Sequence, residues 1–463
     1  MTEVGEIENK LGKISKILSE SGIEVYSAKE LKSYLYDETP PSLGLKPTEN
    51  VLITKPRNTN EVSKIMKIAS RERIPVFIRG GGTGLSGGAV PTAEGIILST
   101  EKMKKMEIDV ENLCAVCGAG ITLRELITNA EASGLSFPPH PGDETATVGG
   151  MVSTNAGGVR AMKYGVMRNY VLGLEAVLPN GDVMRLGGKL IKNNAGYNLM
   201  HLLIGSEGTL AVVTEVILRL LPPFHKTATV AIPFKTIEGA IEAVVEILRY
   251  GIIPLALEYI EREALEIGEK VSGKKWPPKD EANLMVIIEG RNEDELVELA
   301  EKIEEICIGK GASNAFIALG SREQRDLLEV RSLIYEGMKE MVIEILDVSV
   351  PPAQIPEYVK RCNSVAEKMG FKIVNYGHAG DGNIHQHPLK TEGWEEKYEK
   401  LKKTFFRIAR ELGGSITGEH GVGIVKKKDL KEQLSKAEYE LLQKIKRAFD
   451  PDGILNPGKV VDL

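Results

Sequence analysis

The apolar positions of this chain recur with two different periods, one typical of helices and one typical of strands. Residues 7–21 carry Ile, Leu, Ile and Leu at helical spacing before Gly22 ends the pattern. From Val51 onward, short apolar runs alternate with helical repeats, which predicts the strands VLITKP, PVFIRG, GIILST and LCAVCGAG. A helix starting at a Thr122–Glu125 capping box is predicted to end at Gly134. This order of elements predicts an α+β fold.

A change in composition divides the chain. After a hairpin with an Asn180-Gly181 turn, the segment LLPPF at 220–224 marks a boundary. Beyond it, helices such as 236–250 and 292–308 alternate with strands, and glycine becomes rare until the tail. The return of glycine predicts that the tail folds back toward the first domain. We therefore predict an N-terminal domain at 1–223 with its core at 45–223, a second domain at 224–412 and a C-terminal segment at 413–463.

Composition excludes several classes of protein. The 463 residues carry a net charge of −6, which argues against a nucleic-acid surface. No apolar run approaches the ~18 residues that span a bilayer, and the acidic N-terminus is not a targeting signal. These features predict a soluble, cytoplasmic protein, with attachment to the inner face of the membrane through a partner left open. Cys114 and Cys117 form a CxxC, but a buried strand and no second pair favour structural cysteines.

One stretch, PVFIRGGGTGLSGGAVP at 75–91, is unusually dense in glycine. Glycine loses more backbone entropy on folding than any other residue, so this density indicates close approach of the backbone to a ligand. Backbone N–H groups in such a loop suit an anion such as a pyrophosphate. The Gly-Lys-Ser/Thr of a Walker loop is absent, and Gly88 and Pro91 stand where a dinucleotide fingerprint would begin its helix. The loop is predicted to bind phosphate in another architecture.

Two more stretches share this character. FPPHPGDETATVGGMVSTNAGG at 137–158 mixes glycines with Thr147, Ser153 and Asn155, which suits backbone and hydroxyl contacts to a large polar ligand. A third stretch, KNNAGYNLMHLLIGSEGTL, follows at 192–210. Three separated glycine-rich stretches exceed what a mononucleotide requires, so a ligand of dinucleotide length is predicted.

The segment NYGHAGDGNIHQHP contains three of the seven histidines around Asp381-Gly382. A two-residue type I′ turn there would place His378 directly opposite His385, with Cβ atoms about 5 Å apart. Two imidazoles at that distance can share a metal ion, and a carboxylate would complete a His₂Glu site with open positions. Glu419, in TGEHGVG, is the candidate, and His420 follows it.

Together these motifs resemble the vanillyl-alcohol oxidase/p-cresol methylhydroxylase flavoprotein superfamily. Within it, the chain is similar to the FAD-linked D-2-hydroxyacid dehydrogenases, which include D-lactate dehydrogenase, the glycolate oxidase FAD subunit and D-2-hydroxyglutarate dehydrogenase. The resemblance runs from about residue 45 to the C-terminus. It implies a two-subdomain FAD-binding domain of the p-cresol methylhydroxylase type, an α+β cap domain with an antiparallel sheet, and a tail that returns to the flavin.

The resemblance implies that FAD is the cofactor and that the glycine loop holds its pyrophosphate. Some relatives carry a flavin-linked histidine in this loop, where Thr83 or a glycine stands here, so non-covalent FAD is expected. The implied cofactor contacts are Arg79, Gly80, Gly81, Gly82, Thr83, Gly84, Leu85, Ser86, Pro141, Gly142, Thr147, Gly149, Gly150, Ser153, Asn155, Gly157, Gly158, Glu207, Gly208 and Asn456.

The resemblance also assigns catalytic roles. His378, His385 and Glu419 match the ligands of a divalent ion, with Zn²⁺ expected first and Mn²⁺ or Fe²⁺ as alternatives. His420 matches the catalytic base, and Arg331 in LLEVRSLIYEG matches the arginine that binds the substrate carboxylate.

The implied reaction is metal-assisted proton abstraction with hydride transfer from a small D-2-hydroxy acid, D-lactate or glycolate, to flavin N5. D-2-hydroxyglutarate dehydrogenases carry a lysine just before an Asp-x-Ser, where this chain has Ile345 and Leu346. A second substrate carboxylate is therefore less expected. The alternatives are a dehydrogenase of D-2-hydroxyglutarate or longer acids, a redox-neutral flavoprotein, and a flavin-carrying electron-transfer subunit.

The expected partners include an electron acceptor: a quinone, a cytochrome, an electron-transfer flavoprotein or an iron–sulfur subunit. No nucleic acid is expected, and a homodimer is one assembly that the sequence leaves open.

Overall fold

A computed structural model of the chain describes residues 3–223 and 226–463. Residue 224, where the second predicted domain begins, lies outside the described residues. The described strands are β1 (Glu24–Ser27), β2 (Val51–Lys55), β3 (Val76–Arg79), β4 (Gly95–Ser99), β5 (Met106–Asp109), β6 (Cys114–Gly118), β7 (Val171–Val177), β8 (Val183–Gly187), β9 (Val212–Arg219), β10 (Lys226–Phe234), β11 (Ala256–Glu261), β12 (Ala282–Gly290), β13 (Phe316–Ala318), β14 (Leu346–Ser349), β15 (Ile373–His378) and β16 (Asn383–Pro388).

Helices surround these strands. The described α-helices are α1 (Glu3–Glu20), α2 (Thr59–Glu72), α3 (Leu123–Ala132), α4 (Val148–Thr154), α5 (Ala161–Tyr164), α6 (Leu199–Leu203), α7 (Ile237–Arg249), α8 (Arg262–Ser272), α9 (Glu293–Gly309), α10 (Ser321–Ser332), α11 (Ile334–Met338), α12 (Ile355–Met369), α13 (Trp394–Glu411), α14 (Lys427–Gln433) and α15 (Lys436–Phe449). The α+β class predicted from the apolar pattern is confirmed.

The backbone contacts divide the chain into two compact units. The first unit, here called the flavin unit, takes the described chain up to Gly158, then Val166–Pro223 and Glu419–Leu463. The second, here called the hairpin unit, takes Val159–Gly165 and the described chain from residue 226 to Gly418.

The flavin unit contains two sheets. In the first, with strand order β1-β2-β4-β3, the last three strands are parallel and β1 is antiparallel to β2. The buried face of α2, which includes Ile65 and Met66, packs on this sheet in one apolar cluster with Val76 and Leu98. Each such side chain contributes about 1.5–3 kcal/mol when fully buried. The second sheet, β5-β6-β9-β7-β8, is antiparallel throughout.

The hairpin unit is built on one antiparallel sheet of seven strands in the order β13-β10-β12-β11-β15-β16-β14. Strands β15 and β16 therefore lie between β11 and β14, although β11 precedes β15 by more than a hundred residues. Helices α8, α10 and α11 pack against one apolar cluster with Met285, Val374 and Tyr376. The antiparallel cap sheet predicted from the resemblance is confirmed.

Local signals agree with several of the described elements, but they do not predict α4 and α6, which lie within glycine-rich stretches. The Thr122–Glu125 capping box is formed and starts α3 as predicted. Helix α4, however, lies within 137–158, where the apolar pattern predicts no helix. Thr147 caps it by accepting a hydrogen bond from the N–H of Gly150. A Cβ on Gly149 would lie 2.7 Å from Cβ of Ala119, so the missing side chain lets α4 pack closely.

The four cysteines are buried free thiols. Burial raises the pKa of Cys117 to about 12, so this thiol stays protonated at neutral pH. The CxxC segment is a strand of the second sheet, which agrees with structural cysteines. None of the described helices combines the length and the apolar character needed to cross a bilayer.

Candidate functional site

The glycine loop begins where β3 ends. The backbone N–H groups from Gly81 to Ser86 donate to no acceptor among residues 3–223 and 226–463. Gly82 and Gly87 have φ of +74° and +73°, which only glycine adopts without strain. Arg79 lies under the loop and donates from Nη1 to the carbonyl of Tyr36 at 2.6 Å. Backbone N–H groups that have no acceptor among the described residues, beside an arginine, are suited to bind an anionic group such as the FAD pyrophosphate.

The second glycine-rich stretch lies beside this loop. A Cβ on Gly80 would lie 2.4 Å from Oγ1 of Thr147, and one on Gly81 would lie 2.8 Å from the carbonyl oxygen of Thr145. Two predicted cofactor segments are therefore adjacent within the flavin unit. Gly158 also packs closely within the protein, because a Cβ there would lie 2.2 Å from the carbonyl oxygen of His140.

Two residues predicted as cofactor contacts hold the C-terminal tail. The carboxylate of Glu207 accepts from the N–H groups of Val422 and Gly423, both at 2.7 Å. Burial raises the pKa of the Glu207 carboxyl. The Asn456 side chain accepts from the N–H of Ile78 at 3.0 Å and donates to the carbonyl of Glu207 at 2.8 Å. The tail is thus bound to the strand that leads into the glycine loop.

Ser86 fixes the segment that carries Glu419 and His420. Its hydroxyl donates to the carbonyl of His420 at 3.1 Å, and its own carbonyl accepts from the N–H of Ile424 at 2.9 Å. A Cβ on Gly157 would lie 3.0 Å from Oε2 of Glu419. The glycine loop, Gly157, Glu419 and His420 therefore lie together in the flavin unit.

The histidine hairpin is present, but its register differs from the prediction. His378 pairs with Asn383, and Tyr376 pairs with His385, so the connection has four residues, 379–382, instead of two. A type I′ turn needs positive φ at both central residues, and only Gly382 of this connection has it. The predicted direct pairing of His378 with His385 is wrong.

A shift of two residues leaves every side chain on its original face. His378 and His385 consequently still lie on one face as diagonal neighbours, with ring centroids 5.3 Å apart. His387 lies on the same face, and its ring stacks on Tyr376 at 4.6 Å. The two predicted metal ligands of the hairpin are therefore brought together by a different register.

Asp347 lies next to this pair and was not among the predicted site residues. Its Oδ1 lies 3.8 Å from Nδ1 of His385 and accepts from Nδ2 of Asn383 at 2.8 Å. Its Oδ2 accepts from the hydroxyl of Thr417 at 2.9 Å and the N–H of Gly418 at 3.0 Å. Asp347 thus fixes the chain immediately before Glu419.

Glu258, on β11, is a second residue that sequence reasoning missed. One carboxylate oxygen lies 2.5 Å from Nδ1 of His378, and the other accepts from Nε and Nη2 of Arg331 at 2.9 and 2.6 Å. Burial alone would raise the pKa of the Glu258 carboxyl, but the charges of His378 and Arg331 outweigh it and lower that pKa. A charged residue within the apolar run LALEYI was the available signal.

Arg331, predicted to bind the substrate, therefore lies in the same unit as the hairpin histidines. Its guanidinium carbon lies 4.5 Å from the ring centroid of Tyr376, and its side chain is 14% exposed. In the hairpin unit Glu258 contacts both a cation and His378, and His385 with Asp347 lies beside His378. Such an arrangement can bind a small acid and a divalent ion.

The chain is similar to known flavoproteins in sequence and in fold. Residues 51–187 match the family model described as FAD binding domain, and residues 225–460 match that of FAD linked oxidases, C-terminal domain. D-lactate dehydrogenase of Archaeoglobus fulgidus is 53% identical over 440 residues, covering 95% of this chain and 97% of that protein. Glycolate oxidase subunit GlcD of Bacillus subtilis is 38% identical over 436 residues, covering 92% and 91%.

A solved structure of p-cresol methylhydroxylase with substrate bound has the same fold, with a TM-score of 0.79 at 16% identity. The match covers all of this chain and 98% of that one. The resemblance seen in the motifs is thereby confirmed. The chain belongs to the FAD-linked oxidases with a p-cresol methylhydroxylase-type flavin domain, and within them it is an FAD-dependent oxidoreductase of 2-hydroxy acids.

Proposed function

We propose that this protein is a dehydrogenase of a small D-2-hydroxy acid, D-lactate or glycolate, that uses non-covalent FAD and a divalent ion. The observation that carries the proposal is the contact of Glu258 with both Arg331 and His378, with His385 beside His378 in the hairpin unit. The names of the relatives, D-lactate dehydrogenase and a glycolate oxidase subunit, support the same substrates. The electrons then pass to a separate acceptor.

The residues present suit both cofactors. The amides from Gly81 to Ser86 would hold the FAD pyrophosphate. His378, His385 and Glu419 would hold the ion, and two imidazoles with one carboxylate suit Zn²⁺, with Mn²⁺ or Fe²⁺ as alternatives. When bound, FAD accepts the hydride from the substrate carbon and the ion stabilises negative charge on the substrate oxygen.

Chain continuity supports the place of Glu419 in this set. Glu419 follows Gly418, whose N–H donates to Asp347 beside His385. Consecutive Cα atoms are about 3.8 Å apart, so the backbone of Glu419 starts next to this group. His420 follows and would take the hydroxyl proton of the substrate, a task that typically contributes about 10²–10⁴-fold to the rate.

Arg331 would bind the carboxylate of the substrate. Two of its N–H groups already bind Glu258, so the outer edge of the guanidinium would make the contact. Ile345 and Leu346 are buried apolar side chains before Asp347. No cation there would bind a second carboxylate, which favours short acids over D-2-hydroxyglutarate.

Anaerobic mixing of the FAD-loaded protein with D-lactate, L-lactate, glycolate and D-2-hydroxyglutarate tests this function. We expect D-lactate or glycolate to bleach the flavin fastest and chelation of the ion to abolish bleaching. His420→Asn should retain FAD and metal yet lose about 10²–10⁴-fold in the rate of bleaching. Full-rate bleaching by metal-free protein would overturn the metal role, and faster bleaching by D-2-hydroxyglutarate would overturn the substrate.

Thr83 provides a separate test of how the flavin is held. A threonine hydroxyl does not form the flavin bond that a histidine nitrogen can, so acid precipitation should release all yellow colour into the supernatant. His378→Ala, which leaves the glycine loop intact, should release the same amount. Flavin retained on the pellet would contradict non-covalent binding.

A further inference from the structure

The buried carboxylate of Glu258 joins two residues that have different tasks in the proposed function. Glu258 lies directly opposite His378 in the antiparallel register of β11 and β15. It contacts Nδ1 of His378 with one oxygen and Nε and Nη2 of Arg331 with the other. Its side chain has no exposed surface, so water does not screen these contacts.

Arg331 links the same network to the other strand of the hairpin. Its guanidinium lies over the ring of Tyr376, and Tyr376 is directly opposite His385. One set of contacts thus connects helix α10 with strands β11, β15 and β16. Because one carboxylate group binds both His378 and Arg331, a displacement of either side chain would also displace the other.

We propose that Glu258 is a positioning residue that sets the metal site and the substrate clamp together. A carboxylate at Nδ1 favours the Nδ1–H tautomer of His378 and leaves Nε2 as the nitrogen that coordinates an ion. The same carboxylate holds Arg331 by its Nε edge, so that the outer edge of the guanidinium is directed to the substrate. This role rests on the proposed function and adds a residue to it.

Both oxygens of a carboxylate accept hydrogen bonds, and this role depends on that property. In the Glu258→Gln variant one oxygen becomes an NH₂ group of nearly the same size. If that group faces His378, it donates to Nδ1 and moves the ring proton to Nε2, which blocks coordination. If it faces Arg331, two donors meet and the guanidinium is displaced.

The test is the Zn²⁺ affinity of the FAD-loaded protein, measured by competition with a chromophoric chelator. We expect Glu258→Gln to weaken Zn²⁺ binding by about 10–100-fold and to raise KM, with FAD content unchanged. Glu261→Gln is the matched control, because Glu261 lies on the same strand but binds Asn375 instead of a hairpin histidine. Its Zn²⁺ affinity should equal that of the unmodified chain.

Arg331→Lys supplies a second measurement that stays informative if Glu258→Gln fails to fold. Lysine keeps the charge but loses the Nε–Nη2 edge, so Zn²⁺ affinity should fall severalfold even without substrate. An arginine that acts on the substrate alone would raise KM and leave Zn²⁺ affinity unchanged, which would overturn the role of Glu258.

The two proposals fail separately. An unmodified protein that binds no divalent ion overturns the metal role in the proposed function. A protein that binds Zn²⁺ with equal affinity with and without these substitutions overturns only the positioning role of Glu258.

Discussion

Lys459 lies in the flavin unit with 1% of its surface exposed. Its ammonium group donates to the carbonyl of Gly88 in the glycine loop and lies 5.1 Å from the ring centroid of Phe77. Burial lowers the pKa of Lys459 to about 7, although the carboxylates of Asp37 and Glu207 act in the opposite direction. The stability of the unit should therefore depend on pH through this one side chain.

The sign follows from the protons bound in each state. Between about pH 7 and about pH 10, Lys459 is protonated in the unfolded chain and largely deprotonated in the folded one. Because the unfolded state then binds more protons, the free energy of unfolding increases as pH rises. Relative to Lys459→Met, the unmodified protein should gain up to about 1.4 kcal/mol in unfolding free energy per pH unit. Urea unfolding at several pH values measures this, with Lys436→Met, at an exposed lysine, as the control for net charge. If the difference in unfolding free energy between the unmodified protein and Lys459→Met did not change with pH, this prediction would be wrong.

The connection of the histidine hairpin places a strict demand on Gly382. This residue has φ of +85°, and a Cβ there would lie 1.9 Å from the carbonyl oxygen of Val350. The N–H of Val350 in turn donates to the carbonyl of Gly382 at 3.0 Å. The next residue, Asn383, binds Asp347, so the position of the connection affects the group around His385.

Gly382→Ala should therefore lower the free energy of unfolding by more than the backbone strain alone. Gly370, which ends α12, has φ of +78° and open space around it, so Gly370→Ala isolates the strain of about 1–2 kcal/mol. We expect Gly382→Ala to lower the unfolding free energy by a further ~1–3 kcal/mol and to weaken Zn²⁺ binding. Equal losses in the two variants, with unchanged metal affinity, would show that the connection adapts.

The hairpin also marks how far sequence reasoning reached. Alternation along a strand fixes which face a side chain takes, so the shared face of His378 and His385 could be predicted. The register depends on the length of the connection. The sequence is compatible with a two-residue turn at Asp381-Gly382 and with a four-residue connection at 379–382, and the structure has the second. Glu258 could not be predicted to contact His378, because the pairing of β11 with β15 joins strands that are distant in sequence.

Local signals predicted several helices and strands of the flavin unit, among them α1, α3, β3 and β6. The capping box at Thr122 and the apolar face of α2 are interactions between near neighbours, which the sequence displays directly. Helix α4 was not predicted because glycine is a poor helix former. The close contact of Gly149 with Ala119 explains why a glycine stands there. The order of strands in each sheet depends on long-range pairing and could not be read from the pattern.

Some glycines predicted to touch the cofactor also allow close packing within the protein, and their contact with the cofactor stays a prediction. Gly158 lies against a backbone carbonyl and Gly149 lies against a neighbouring strand's end. A ligand and a close tertiary contact both require glycine for the same steric reason, and a single sequence does not separate the two. Gly84 and Gly142, which have open space around them, remain predicted cofactor contacts.

The division into two units has a consequence for how the protein can be made. The polypeptide passes from one unit to the other after Gly158, after Gly165, between residues 223 and 226, and after Gly418. Neither unit is one continuous piece of chain. Asn456 binds the N–H of Ile78 in the strand that leads into the glycine loop, and the sequence of the hairpin unit lies between these two residues. The ribosome must therefore synthesise the whole hairpin unit before this contact within the flavin unit can form.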